Sequence, residues 1–213
     1  MARMIKSFLL FIPCMLLSEE NIWKTIHDKR EYSISGVALF KDGYIVVHDN
    51  EEKQEARISY LDKKLNISKL IWPEPMLPFD LEAVAKFPNI KGRFIFMEST
   101  GKCYEAFVDQ KDFRIDLLRT FTLPELKLNM NLEGLTIFQS AQGIVFIYGD
   151  RGSDLRASTL FTAFFNPKKN EFYDIKSYEF DLPKPYSHKR NIADLTINSE
   201  GFVWSSATSD PGD

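Results

Sequence analysis

Cysteine and histidine are nearly absent from this chain, with two of the first and three of the second in 213 residues. A zinc centre needs four close nitrogen or sulfur ligands, so residues this few and this scattered exclude one. Cys14 and Cys103 are the only cysteines. If the segment carrying Cys14 is removed, Cys103 stands alone and no internal disulfide forms. Basic blocks are also missing, and the net charge is −3, which argues against a nucleic-acid-binding surface. The apolar run Ser7–Leu17 is too short to cross a bilayer, which takes about 20 residues.

What is present is apolar and aromatic. Hydrophobic residues make up 44% and aromatic residues 14% of the chain, enough for a sizeable core and too much for disorder. The first 18 residues open with Arg3 and Lys6, continue into the apolar run, and close on Ser18, Glu19 and Glu20. A basic start before an apolar run of this length reads as a secretory signal peptide, which places the mature chain in the periplasm or outside the cell. Against it stand Pro13 within the run and the lack of a small-x-small cleavage site. Pro13 also argues against Cys14 as a lipoprotein anchor. The alternative is a buried N-terminal strand or helix.

The rest of the chain, residues 19–213, is organised by a repeated paragraph. Its clearest copy is Asn131–Asp154, NLEGLTIFQSAQGIVFIYGDRGSD. Variants occur at Ser33–Asn50, Asp80–Tyr104 and Asn191–Asp213. Ile34, Leu81, Leu132 and Ile192 share one column, spaced by roughly 50 residues with a longer last interval; such a period with several strands per unit is the signature of a β-propeller blade. Two residues on, the column is Gly36, Ala83, Gly134 and Asp194, small or short as an innermost strand near a crowded axis requires. The next column, Val37, Val84, Leu135 and Leu195, is expected to be buried between blades.

The fold class expected is therefore all-β, a propeller of four-stranded antiparallel blades at residues 33–72, 80–123, 131–182 and an incomplete 191–213. In the third blade Ile144–Tyr148 is apolar on both alternating faces, as a strand buried on both sides must be. The aromatics, Trp72, Phe138, Phe146, Phe164, Phe165 and Trp204 among them, are read as inter-blade core. Asn21–Arg30 is expected to add one leading strand. Three and a half blades do not close a ring of four to eight. The expectation is a fragment of a longer propeller, and the alternative is a four-bladed ring with an irregular closing blade.

Two motif classes carry chemistry. Each inner strand starts where the second strand ends, so Glu82 is placed beside Glu98, Glu133 beside Asp150, and Ser35 beside Asp49, with Asp194 opening the fourth blade. Convergent carboxylates suit a calcium ion, which takes six to eight oxygen ligands. The alternative is structural: such carboxylates accept backbone N–H bonds and lock neighbouring blades. A basic set, Arg151, Arg156, His188, Lys189 and Arg190, lies on the same expected face and suits a phosphate or carboxylate ligand; the alternative is loop charges paired with Asp150, Asp154 and Asp194. His48 beside Asp49 has no accompanying nucleophile motif.

The x-L-E-[GA]-[LV] strand start paired with an acidic or polar strand end, carried by NLEGL, DLEAV, ISGVA and the terminal ATSDPGD, resembles the phytase-like and SdiA-regulated propeller families from about Ser33 onward. The resemblance implies a five- or six-bladed exported propeller, often with calcium on its axis, in families where many members have no established activity. Two functions follow as expectations. The first is an exported propeller that binds a small molecule or protein, or acts as a scaffold, through the loop face at the start of the inner strands. The second is a calcium-dependent phosphoesterase, which would use a metal-activated water.

Overall fold

A computed structural model describes residues 24–153, 155–180 and 190–208. Its strands form successive antiparallel meanders. Blade 1 is β1 (Gly36–Phe40), β2 (Gly43–Val47), β3 (Ile58–Leu61) and β4 (Ile67–Leu70). Blade 2 is β5 (Leu81–Lys86), β6 (Arg93–Glu98), β7 (Lys102–Val108) and β8 (Ile115–Thr122). Blade 3 is β9 (Leu132–Ser140), β10 (Gly143–Asp150), β11 (Ser158–Asn166) and β12 (Glu171–Phe180). Blade 4 contributes β13 (Asn191–Ile197) and β14 (Val203–Thr208) among the described residues. Each blade keeps its strands in chain order, and the first strands β1, β5, β9 and β13 pack side by side. The architecture is propeller-like, with sheets in an open series.

Side-chain alternation explains the stacking. Residues of one parity on a strand face the preceding blade, and those of the other parity face the next. Between blades 1 and 2, Ala38, Phe40 and Ile45 meet Val84, Phe94 and Phe96. Between blades 2 and 3, Ala85, Ile95 and Met97 meet Leu135, Ile137 and Phe146. Val145 and Ile147 meet Ile192 and Leu195 at the last junction. Each fully buried side chain of this size contributes roughly 1.5–3 kcal/mol, so these junctions hold the blades together without a cross-link. Cys103 is buried in the second core, where burial pushes its thiol up, and it is a free thiol.

The small column does what its residues imply. A Cβ on Gly36 would sit 2.9 Å from the Ala83 Cα, and one on Gly134 would sit 2.8 Å from the Leu195 backbone nitrogen. Inner strands of adjacent blades approach too closely there for any side chain.

Three expectations need correction. Residues 24–29 form no strand, and Arg30–Tyr32 is a 3-10 turn; Arg30 holds the segment to blade 1 through Asp49, so its anchor is an ion pair instead of a strand ladder. Val37 is 50% exposed while Val84, Leu135 and Leu195 are buried, because Val37 faces away from blade 2. Trp204 is 62% exposed for the mirror-image reason, on the face of blade 4 turned away from blade 3. The expected signal segment 1–18 and the terminal ATSDPGD beyond Thr208 lie outside the described residues.

Candidate functional site

The inner strands of three blades share one irregularity. Leu81 pairs with Glu98 and Ala83 with Met97, so Glu82 is an extra residue in the ladder. Leu132 pairs with Asp150 and Gly134 with Gly149, leaving Glu133 extra in the same place. In blade 4 the residue skipped is Ala193. These are β-bulges, which bend a strand and re-aim a side chain. Blade 1 has Ser35 in the corresponding position, where its N–H donates to the Val47 carbonyl and its hydroxyl donates to the Leu81 carbonyl of blade 2.

The residue at the end of the second strand in blades 2 and 3, and the one just past it in blade 1, has a different task. His48, Glu98 and Asp150 occupy equivalent positions and are all buried. Each ties down the backbone just ahead of its own inner strand. His48 Nδ1 lies 2.7 Å from the Ser33 carbonyl oxygen, Glu98 accepts the Phe79 N–H at 2.9 Å, and Asp150 accepts the Asn131 N–H at 3.0 Å. Each also reaches towards the third strand: His48 Nε2 to the Ser59 hydroxyl, Glu98 to the Tyr104 hydroxyl, Asp150 to Arg156 in an ion pair. A carbonyl only accepts, so His48 Nδ1 carries the proton and Nε2 accepts from Ser59. Burial lowers the His48 pKa, and the imidazole is neutral at pH 7.

The six expected metal ligands therefore do not form one set. Glu98 and Asp150 point into their blades as latches. Asp49 is clasped by both terminal nitrogens of Arg30 at 2.8 Å. Asp194 accepts the Leu195 N–H at 2.7 Å, and burial raises its pKa. Glu133 accepts from Asn131 Nδ2 at 3.0 Å and from Arg151 Nη1 at 3.2 Å. Among the described residues no group of three or more His, Cys, Asp or Glu side chains is arranged to hold a metal ion. Glu98, Asp150 and Asp49 already serve protein donors and so are withheld from a shared calcium.

What does converge is a smaller acidic group at the starts of the inner strands. Burial pushes the Glu82 carboxyl up to about 9, with further contributions from the charges of Glu133, Asp80 and Asp49 and from a hydrogen bond to Asp80. Glu82 thus keeps its proton at neutral pH and donates it to Asp80. Asp80 in turn accepts the Ser99 hydroxyl at 2.5 Å. Blades 1, 2 and 3 each contribute to this mouth, and Arg30 and Arg151 flank it.

Beside it lies a cleft of about 510 Å³ lined by Asn129, Asn131, Arg151, Ser153, Leu155 and Arg156. The expected ligand-binding pair Arg151 and Arg156 is brought together here. Both are committed in part, Arg151 to Glu133 and Arg156 to Asp150 and the Asn129 carbonyl. Burial lowers the Arg156 pKa. Arg190 is exposed, and His188 and Lys189 lie outside the described residues. Sequence reasoning missed Asp80 and Arg30. Asp80 stands one residue ahead of the Leu81 column, where blade 3 has Asn131, and that shared polarity was a usable signal; Arg30 left none.

No protein-family model matches the chain, and no curated protein matches it. Among solved structures it is similar to a protein from Lactobacillus plantarum, at 11% identity and a TM-score of 0.46. The match covers 83% of this chain and 64% of that protein, so this chain spans somewhat less than two thirds of its length.

Proposed function

We propose that the chain is a propeller-like binding protein that receives a cationic group of its ligand at the acidic mouth formed by Asp49, Asp80, Glu82 and Glu133. The observation that carries this reading is Glu82. Its carboxyl is held where burial and three neighbouring carboxylates force it to keep a proton up to about 9. The latching inside each blade is performed by His48, Glu98 and Asp150, and Glu82 takes no part in it. A strongly perturbed carboxyl among converging carboxylates marks a candidate functional group. An incoming ammonium or guanidinium would replace the Glu82 proton as the positive partner of the cluster. In the same reading the chain is exported, on the strength of its basic start and the apolar run Ser7–Leu17.

The phosphoesterase alternative would set a metal among carboxylates of which Glu98 and Asp150 turn inward, with Arg151 and Arg156 beside it. The test is calorimetric titration with methylguanidinium, whose charge does not change in this range, with calcium chloride as a parallel probe, at pH 7 and pH 9.5. Methylguanidinium binding is expected to release a proton at pH 7 and to tighten as pH rises. Glu82→Gln should abolish the pH dependence, and Glu133→Gln should weaken binding about tenfold, as loss of one opposed charge worth about 1.4 kcal/mol would. Absence of methylguanidinium binding, or binding indifferent to both substitutions, overturns the reading.

A further inference from the structure

The opposite end of the blades, where first and second strands are joined, carries a cleft of contrary charge. It has a volume of about 490 Å³ and lies between blades 1 and 2, at the β1–β2 and β5–β6 turns. That volume falls in the range of small-molecule sites, about 300–1,000 Å³. Its polar lining includes Lys41, Lys86 and Lys91 and no acidic side chain. Among the described residues none of the three lysines is in an ion pair; Lys41 instead lies 4.5 Å over the Phe113 ring. The floor is apolar, formed by Phe40, Phe87 and Phe94, with Ile90 exposed at its rim.

Lys86 is out of pattern. It occupies the inner-strand column in which the other blades carry Leu39, Ile137 and Ile197, and Ile137 is buried in its junction. A lysine at that column weakens packing between blades unless its ammonium has a use. Lys86 pairs with Phe94 across the ladder, which sets its stem at the apolar floor. Long cationic side chains can cover apolar surface while holding the charge at its edge.

We propose that this cleft binds an amphipathic carboxylate, its apolar body on Phe40, Phe87 and Phe94 and its anionic head between Lys86, Lys91 and Lys41. The cleft lining carries three cations and no carboxylate, Asp42 acting on Lys41 from outside it, and the cations set a positive potential over a partly desolvated surface. An inorganic anion would leave the floor exposed, and a neutral apolar molecule would leave the lysines unanswered. Their joint presence selects a ligand with both features. The site lies at the opposite end of the blades from the acidic mouth, and the two are independent.

The experiment is calorimetric titration of the full chain with three probes below their micellar concentrations: decanoate, acetate and decyltrimethylammonium. Decanoate is expected to bind saturably with one-to-one stoichiometry and to weaken with added salt, acetate not to bind measurably, and decyltrimethylammonium not to compete with decanoate. Lys86→Glu combined with Lys91→Glu should weaken decanoate at least tenfold. Lys86→Leu restores the column of the other blades and is expected to melt no lower than the parent, yet to lose the preference for decanoate over decyltrimethylammonium. Glu82→Gln should leave decanoate affinity unchanged. Equal binding of the two decyl probes, or a Lys86→Leu protein with full decanoate preference, overturns the proposal.

Discussion

At the scale of single residues, a carboxyl that resists ionisation makes the fold sensitive to pH. Glu82 ionises near 4.5 in an unfolded chain and near 9 in the folded one. Below the lower value both states hold the proton and Glu82 is neutral in its effect. Between the two values the unfolded state gains by ionising and the folded state does not, so stability falls as pH rises through that window. Glu82→Gln keeps a hydrogen-bond donor for Asp80 and removes the acid. Urea denaturation is expected to show it more stable than the parent by roughly 1–3 kcal/mol at pH 8 and equal at pH 4. Glu105 is the opposite case. It is fully buried between Arg93 and Arg119, and Arg119 also donates to the Pro167 carbonyl of blade 3. Glu105→Ala leaves two cations without their anion and should cost about 3–5 kcal/mol, read as a lower denaturation midpoint. The sequence carried the columns but not the direction of each carboxylate. The motif placed Asp49 opposite Ser35, whereas the latch equivalent to Glu98 and Asp150 is His48. A one-residue slip reverses the face of a strand side chain, and the bulges at Glu82 and Glu133 introduce such a slip.

At the scale of strands, most boundaries were legible. Ile144–Tyr148 is apolar at every position and is buried on both faces in β10. Lys41 and Asp42 make the two-residue connection between Phe40 and Gly43 that their place between strands implied. The leading segment was not legible: a strand is expected over Asn21–Arg30, whereas residues 24–29 form none and Arg30 finds Asp49 instead of a strand partner. The Gly36 and Gly134 column supplies the prediction at this scale. Gly134→Ala would set a methyl 2.7 Å from the Leu195 side chain and 2.8 Å from its backbone nitrogen. Backbone cannot yield as a side-chain tip can, and overpacking of this kind costs about 1–3 kcal/mol. Denaturation should show that loss, and hydrogen exchange should show it concentrated in β13 and β14. Uniform loss across all blades would mean that the junction is looser than drawn.

At the scale of the whole molecule, the two outermost sheet faces are unlike the inner ones. Leu39 is 61% exposed on blade 1, on the same face as Val37, and Trp204 is exposed on blade 4. The equivalents of Trp204 in the other blades, Ile45, Ile95 and Ile147, are buried, as is Ile137 in the column of Leu39. Apolar sheet faces of this kind favour association. Sedimentation of the 213-residue chain is expected to show concentration-dependent self-association, and Leu39→Lys with Trp204→Glu should reduce it. A chain monomeric at all concentrations would mean that these faces are covered. The repeat made the blades readable from sequence, because each blade is one supersecondary unit with its own copy of the pattern. The mouth was readable only in part, since it is assembled from the ends of three blades and its composition depends on which carboxylates the latches take.

The central claim is that blades 1 to 3 bring Asp49, Asp80, Glu82 and Glu133 close enough to govern one another's charge. Carbon-13 NMR titration of the glutamate carboxyl groups in the folded chain, with Glu82 assigned by comparison with Glu82→Gln, tests it most directly. The account predicts that Glu82 titrates near 9 and is protonated at pH 7. A Glu82 carboxyl that titrates near 4.5, as in an unfolded chain, would contradict it.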